Sequence, residues 1–368
     1  MSVKVNILTT YNSPNSLGFV YPLAVNRPLF SKEGVRMEFF DSIVDNISDC
    51  DIIFINSKFF RSWHFTKAGE LYGVLAGFKK KAHKVIWFDT ADSTGTTQFN
   101  VMPFVDDYYK SQLLKDRSLY EKNFYGNRIF TDYYNKFFGE DDNAASEREK
   151  HMAIHTILRK EDAHKLHLSW NSAMDDWGVY AGNYTLAGLI AKAKVRLPFK
   201  MRYNTRFLGP EKNRKIGISA RIGLSHTIST VRRQREAIVK VLKDKFGVDT
   251  AVLPRNKYIS ELKNSKIAIS PFGLGEISCR DFEVIMNGAL LFKQDMSHLE
   301  TWPPLYVDGE TYMAFSWDIS DLEDKLREFL KDDEKIARIS KNAQRAYEYY
   351  LYGDGRMEFC NKVMDILR

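Results

Sequence analysis

The sequence predicts an α/β fold of two domains, each built on a parallel sheet. Three observations carry this. Short apolar runs alternate with helical segments from Val3 to Phe88, and the same alternation restarts at Lys215. With 368 residues the chain exceeds what one hydrophobic core usually serves. Hydrophobic residues make up 44% and aromatic residues 14%, which supports a substantial core and excludes a disordered chain.

In the first series, Val3–Leu8 reads as a strand buried on both faces, followed by the turn-rich loop Thr9–Gly18. Phe19–Phe30 is apolar enough for a helix but is interrupted by Pro22 and Pro28. Arg36–Phe40 and Asp51–Ile55 are short strands. Phe65–Lys81 is a helix with an apolar stripe at Leu71, Val74, Leu75 and Phe78, and Lys84–Phe88 is the next strand. Ligands of parallel sheets collect at the carboxyl ends of strands, so Thr9–Gly18 and Asp89–Gly95 are expected to face a crevice. Between 101 and 200 clean strands are few; Ser146–Lys160 and Tyr180–Val195 read as helices. Arg196–Arg214, basic and holding Pro198 and Pro210, reads as an interdomain connector. The expected boundaries are 1–200, 201–350, and a last segment, 351–368, whose helix crosses back to the first domain.

The second series opens with strand Lys215–Ala220 and helix Thr230–Phe246, whose Val231, Ile238, Val241, Leu242 and Phe246 form one stripe. Its opposite face carries Arg232, Arg233, Arg235, Lys240 and Lys243, read as a solvated basic face. Strand Thr250–Leu253 and helix Tyr258–Asn264 follow. Leu305–Val307 and Met313–Phe315 are short strands, Asp321–Leu330 a helix capped by Ser320, and Glu334–Leu351 and Met357–Leu367 the last helices.

Composition narrows the function classes. Cys50, Cys279 and Cys360 are odd in number and far apart, as expected in a reducing compartment without a disulfide framework. The start MSVKVNILTTYN lacks a secretory pattern, and no run of about 18 apolar residues occurs. A cytoplasmic protein is expected. The net charge of +7 is compatible with a nucleotide, a phosphorylated glycan, an anionic membrane face or nucleic acid, and equally with solubility alone. His151-x3-His155 lacks the glutamate of the zinc-protease pattern, with Met152 in its place, and no metal site is expected.

The most informative stretch is Lys266–Phe292. Lys266–Ser270 has strand length, Pro271-Phe272-Gly273-Leu274-Gly275 breaks it, and Ser278 stands as N-cap of helix Arg280–Asn287, which Gly288 closes before Ala289–Phe292. Such a loop aims backbone N–H groups and the positive helix end at one point. Arg280 adds bidentate geometry for phosphate, and Glu283 lies on the same helix face, able to accept hydrogen bonds from a ribose.

The spacing Gly275-x-x-Ser278-x-Arg280-x-x-Glu283-x4-Gly288 resembles the nucleotide-sugar-binding half of GT-B glycosyltransferases, of the exostosin-like or family 1-like branch. Glu283 matches the second of the two glutamates of the large retaining family; Gly275 stands at the first, and Glu276 is one place late. The resemblance implies two facing Rossmann-like domains and transfer of a sugar from a nucleotide diphosphate to an acceptor glycan, free or lipid- or protein-linked. It implies no cofactor beyond that co-substrate, no metal, no nucleic-acid partner, and room for peripheral membrane contact. Donor contacts are expected from Arg221, Ser270, Pro271, Phe272, Gly273, Gly275, Glu276, Ser278, Cys279 and Glu283. Arg280 would stabilise the leaving diphosphate. Asp92, with Asp89 as its alternative, would be the general base if the reaction inverts; Asn12, Ser16, Gly18 and Asp89 are expected on the acceptor side. An epimerase or hydrolase of the same architecture, or a non-catalytic nucleotide- or sugar-binding protein, is the rival reading.

Overall fold

A computed structural model describes residues 2–139, 141–142, 155–177, 192–193, 201–210, 213–226 and 228–368. The strands are β1 (Val3–Leu8), β2 (Val35–Phe40), β3 (Ile52–Asn56), β4 (Lys84–Asp89), β5 (Asp107–Lys110), β6 (Gln112–Leu114), β7 (Leu166–Leu168), β8 (Ile216–Ser219), β9 (Ser265–Ile269), β10 (Leu290–Gln294), β11 (Leu299–Thr301) and β12 (Met313–Phe315). Six of them form one sheet in the order β2-β1-β3-β4-β5-β7, and four form a second in the order β12-β10-β9-β8. Every pairing in both sheets is parallel. All five residues of β3 and all five of β10 are buried, as central strands covered on both faces require. This is the arrangement of two Rossmann-like domains that the sequence predicts.

The principal helices are α1 (Pro14–Val25), α2 (Ala68–Lys81), α3 (Ile129–Phe138), α4 (Ser229–Phe246), α5 (Arg255–Leu262), α6 (Cys279–Met286), α7 (Leu322–Phe329), α8 (Asp333–Tyr352) and α9 (Gly355–Leu367). Helix α1 starts five residues before the predicted Phe19. Ser13 caps it, accepting from the Ser16 N–H, and Pro14 occupies the first helical turn, where a missing N–H costs nothing. The predicted helix Phe65–Lys81 is broken at Lys67, whose φ of −150° separates Trp63–Thr66 from α2.

Other predicted elements are absent. Thr250–Leu253 forms no ladder. At Leu305–Val307 the Thr311 hydroxyl donates to the Leu305 carbonyl at 2.8 Å, folding the chain back on itself. Strands β5, β6 and β7 and helix α3 were not foreseen; each strand is only three or four residues long and mixed in polarity. Of Ser146–Lys160, residues 155–159 are not helical and 146–154 lie outside the described residues, as does most of Tyr180–Val195. His151 also lies outside them, and the His155 ring meets the Gly95 and Lys122 carbonyls at 2.8 Å each.

Several connections among the described residues join the halves. Strand β6 pairs antiparallel with β11, Leu113 opposite Glu300. Helix α9 lies against the first sheet's helices, with Phe359 edge-on to Trp170 (5.1 Å between ring centres) and Arg356 donating to Asn26 at 2.8 Å. Trp177 stacks on Phe282 of α6 at 5.8 Å. Among the described residues no helix is long and apolar enough to cross a membrane.

Each half buries one lysine–aspartate pair at the carboxyl end of its sheet. Lys110 meets Asp89 at 2.9 Å, and Lys293 meets Asp281 at 3.2 Å; all four side chains have no exposure. Asp281 also accepts from the Ser270 hydroxyl (2.5 Å), the Tyr306 hydroxyl (2.9 Å) and the Ser278 N–H (3.1 Å). A buried charge without its partner costs far more than the pair contributes, so Asp281→Ala is expected to lose about 3–5 kcal/mol, against about 1 kcal/mol for Ser278→Ala as a lost cap. Urea unfolding measures both; equal losses would contradict the special standing of Asp281.

Candidate active site

The carboxyl ends of β8 and β9 and the amino ends of α5 and α6 converge on one polar surface. Helix α6 begins as the sequence predicts: Ser278 is its N-cap, Gly288 (φ +71°) ends it, and a side chain there would overlap the Leu208 carbonyl. Asp281 at the third helical position completes a reciprocal cap, accepting from the Ser278 N–H while the Ser278 hydroxyl accepts from Arg280 N–H. The Ser278 amide is therefore occupied by the chain's own carboxylate.

Arg280 projects from the first turn of α6 over the Tyr258 ring, 5.9 Å from its centre. It forms no ion pair among the described residues. The Tyr258 hydroxyl is buried without a hydrogen-bond partner among the described residues, and burial raises its pKa. Arg255, at the first position of α5, donates to Glu283 at 2.6 Å, and the Glu283 side chain is 5% exposed. Arg235 of α4, read from the sequence as part of a solvated face, turns inward and donates to the Phe272 carbonyl at 2.9 Å and the Gly223 carbonyl at 3.0 Å. Burial, and then the like charge of Arg280, push its pKa down to about 10, so it remains charged at neutral pH. Arg255 pairs with Glu283 and Lys293 with Asp281, whereas among the described residues neither Arg235 nor Arg280 meets a carboxylate. Two positive charges close together without a carboxylate are a setting that favours an anion.

Arg255, Tyr258 and Arg235 escaped the sequence reading. Pro254 before Arg255 was a usable helix-start signal. Arg235 carried none, because its stripe position is polar by periodicity and only the Gly223 and Phe272 carbonyls draw it inward.

Several expected donor residues lie elsewhere. Arg221 pairs with Glu261 at 2.5 Å and Asp249 at 2.6 Å, so its charge is already neutralised within its own surface depression. Phe272 has no exposure and packs on Phe130 (5.2 Å) and Trp317 (5.7 Å); it is a core residue, not a platform for a base. Ser270 and Pro271 are buried beside it, the Ser270 carbonyl accepting from Lys293 at 3.1 Å. Gly273 lies on the Arg235 guanidinium. Cys279 opens α6 in the half-exposed ring of residues next to Arg280.

Gly275 and Glu276 face the first half directly. Glu276, fully buried, accepts from the Ser93 hydroxyl and the Thr94 N–H at 3.0 Å each. A side chain at Gly275 would overlap the Asp92 carbonyl oxygen. Arg128 donates to the Leu274 carbonyl at 2.8 Å. The loop expected to line a donor crevice is thus shut against the Asp92 loop in this arrangement.

On that opposing loop the Asp92 carboxylate, 35% exposed, accepts from Asn15 and lies 3.6 Å from the Lys58 ammonium. Burial would raise its pKa, but the charges of Lys58, Arg61 and Arg128 and the Asn15 bond together hold it below the usual range. Asp89, its alternative, is fully buried under Lys110 and accepts from Tyr108 at 2.6 Å, so it belongs to the core and faces no acceptor. Ser16 is buried in α1 with its hydroxyl on Ser13 at 2.8 Å. Gly18 packs on Ser172 at the edge of a water-sized cavity next to Asp92. Asn12 is exposed on an open cleft.

Residues 225–360 match the family described as glycosyl transferase-like. No curated protein matches by sequence. Solved structures similar to the chain include HepE of Anabaena in complex with UDP-glucose (8% identity, TM-score 0.44, covering 99% of this chain and 100% of that one). An alpha-glucosyltransferase in complex with UDP and a 13-mer DNA containing an HMU base is also similar (11%, 0.46, 100% of each chain). A third is a glycosyltransferase of Rickettsia africae (11%, 0.45, 100% of this chain and 99% of that one). At these scores the likenesses decide nothing about substrate.

The shut loop has a measurable consequence. Gly275→Ala forces Asp92 and Gly275 apart and is expected to cost about 1–3 kcal/mol, with a larger radius of gyration in small-angle scattering. An unchanged melting temperature and radius would mean that the halves do not meet at Gly275 in solution.

Proposed function

We propose that the chain transfers a sugar, hexosyl or pentosyl, from a nucleotide diphosphate to a hydroxyl of an acceptor glycan, a reading supported by the match of residues 225–360 to a glycosyl transferase-like family. The observation that carries this is the uncompensated pair of positive charges around Arg280, at the carboxyl end of a parallel sheet beside Glu283. Arg280 and Arg235 bind the diphosphate; Arg280 presents a planar fork to its oxygens, and the orphan Tyr258 hydroxyl supplies a further donor. Glu283, oriented by Arg255, accepts from the ribose hydroxyls.

In the reaction the acceptor oxygen bonds to the anomeric carbon while the bond from that carbon to the diphosphate oxygen breaks. The leaving diphosphate keeps the electron pair, and its growing charge falls on Arg280 and Arg235, without need of a metal. In an inverting reaction the acceptor hydroxyl's proton passes to Asp92. Entry of both substrates requires that the contact between Gly275 and Asp92 open.

A thermal-shift screen with UDP, GDP, CDP, dTDP and CMP tests the donor side. One diphosphate is expected to stabilise the wild-type chain, in EDTA as in its absence. Arg280→Ala removes one charged hydrogen-bonding group, about 1.5–3 kcal/mol, and so weakens that nucleotide roughly tenfold to a hundredfold. No shift with any nucleotide would overturn the reading.

The acceptor side is read by pH. A depressed Asp92 pKa keeps the base form present into acid, so the acid limb of kcat/KM is expected below the ordinary aspartate range, with activity lost as pH falls through it. Asp92→Asn should cut kcat at least a hundredfold and leave nucleotide binding in place. A wild-type rate in that variant would exclude Asp92 as base.

A further inference from the structure

Beside Asp92, at the carboxyl ends of β1 and β3, lies an open cleft of about 750 Å³. Its wall carries the Asn12 amide, the Ser13 hydroxyl and the Phe65 ring, which is 43% exposed. An apolar ring face among amide and hydroxyl groups is the chemistry that holds a sugar: the C–H face stacks and the hydroxyls exchange hydrogen bonds.

The charges in this cleft do not suit a neutral sugar. Asp41, the acidic side chain on its wall, is paired with Lys192. Among the described residues Lys58, 10% exposed, faces only the Asp92 carboxylate, at a distance longer than a hydrogen bond. The Arg61 guanidinium forms no hydrogen bond or ion pair among the described residues and acts on Asp92 through its field alone. Asp92 therefore stands between two cations, and one positive charge remains over. We propose that the acceptor bears a carboxylate or phosphate, which Arg61 and Lys58 bind so that a neighbouring hydroxyl reaches Asp92. The inference rests on the glycosyl-transfer reading for the identity of the ligand as acceptor, but the cleft's preference for an acidic sugar stands on its own charges.

Saturation-transfer NMR on the full chain tests it with glucuronic acid, glucose 6-phosphate and glucose at equal millimolar concentration. At least one acidic sugar is expected to give a signal that glucose does not, weakening as salt rises; which of the two responds decides between carboxylate and phosphate. Arg61→Gln and Lys58→Gln should each reduce that signal at least fivefold while keeping the wild-type melting temperature. Equal signals from glucose, no signal from either acidic sugar, or signals unchanged in both variants would overturn the proposal. The thermal shift with nucleotide diphosphates, run on the same samples, separates the two readings. Its loss in the wild type with acidic-sugar binding intact would remove the donor assignment alone; its presence without acidic-sugar binding would remove the anionic acceptor alone.

Discussion

The buried carboxylate of Asp281 is the constraint on which the second half depends. It gathers the end of β9 through Ser270, the start of α6 through Ser278, β10 through Lys293 and the following loop through Tyr306. Four segments separated in sequence are thereby held at one point without exposure to water, where each bond is strong because nothing competes for it. The cap of α6, the path of the glycine loop and the placement of Arg280 all follow. Because the chain supplies its own anion to the Ser278 amide, that amide is already satisfied within the fold.

The first half uses a similar device. Lys110 and Asp89 neutralise one another beneath the loop that carries Asp92, and Lys110 also donates to the Thr96 carbonyl at 2.7 Å. Each loop thus lies over a buried, charge-neutral pair. Between them, Glu276 accepts hydrogen bonds from a loop of the opposite sheet, and Gly275 lies against the Asp92 carbonyl. The β6–β11 pairing and helix α9 hold the halves together elsewhere, so opening at Gly275 involves one edge of a broad contact.

Much of the architecture was legible in the sequence. Runs such as Ile52–Ile55 and Leu290–Phe292 are apolar at every position, which only a sheet covered on both faces tolerates. The span from Ser278 to Gly288 carried its own start and stop, since capping and left-handed backbone are local preferences. Strands of three residues such as β6 and β7 were not legible, because their hydrogen bonds come from partners distant in the chain and leave no periodicity to read. Sequence likewise could not separate Asp89 from Asp92, three residues apart; burial beneath Lys110 sends one to the core, and the other stays partly exposed beside Lys58.

What the sequence by itself determined was the alternation of strands and helices, the position of the glycine loop and the chemical kinds of side chain at its helix. What only the tertiary structure decided was which charges are consumed internally. Arg221 is neutralised by Glu261, Arg235 is turned inward by two carbonyls, and among the described residues Arg280 is left without a carboxylate. The reason is physical: local backbone preference depends on neighbours a few residues away, whereas the fate of a charge depends on every group that folding brings within a few ångströms of it.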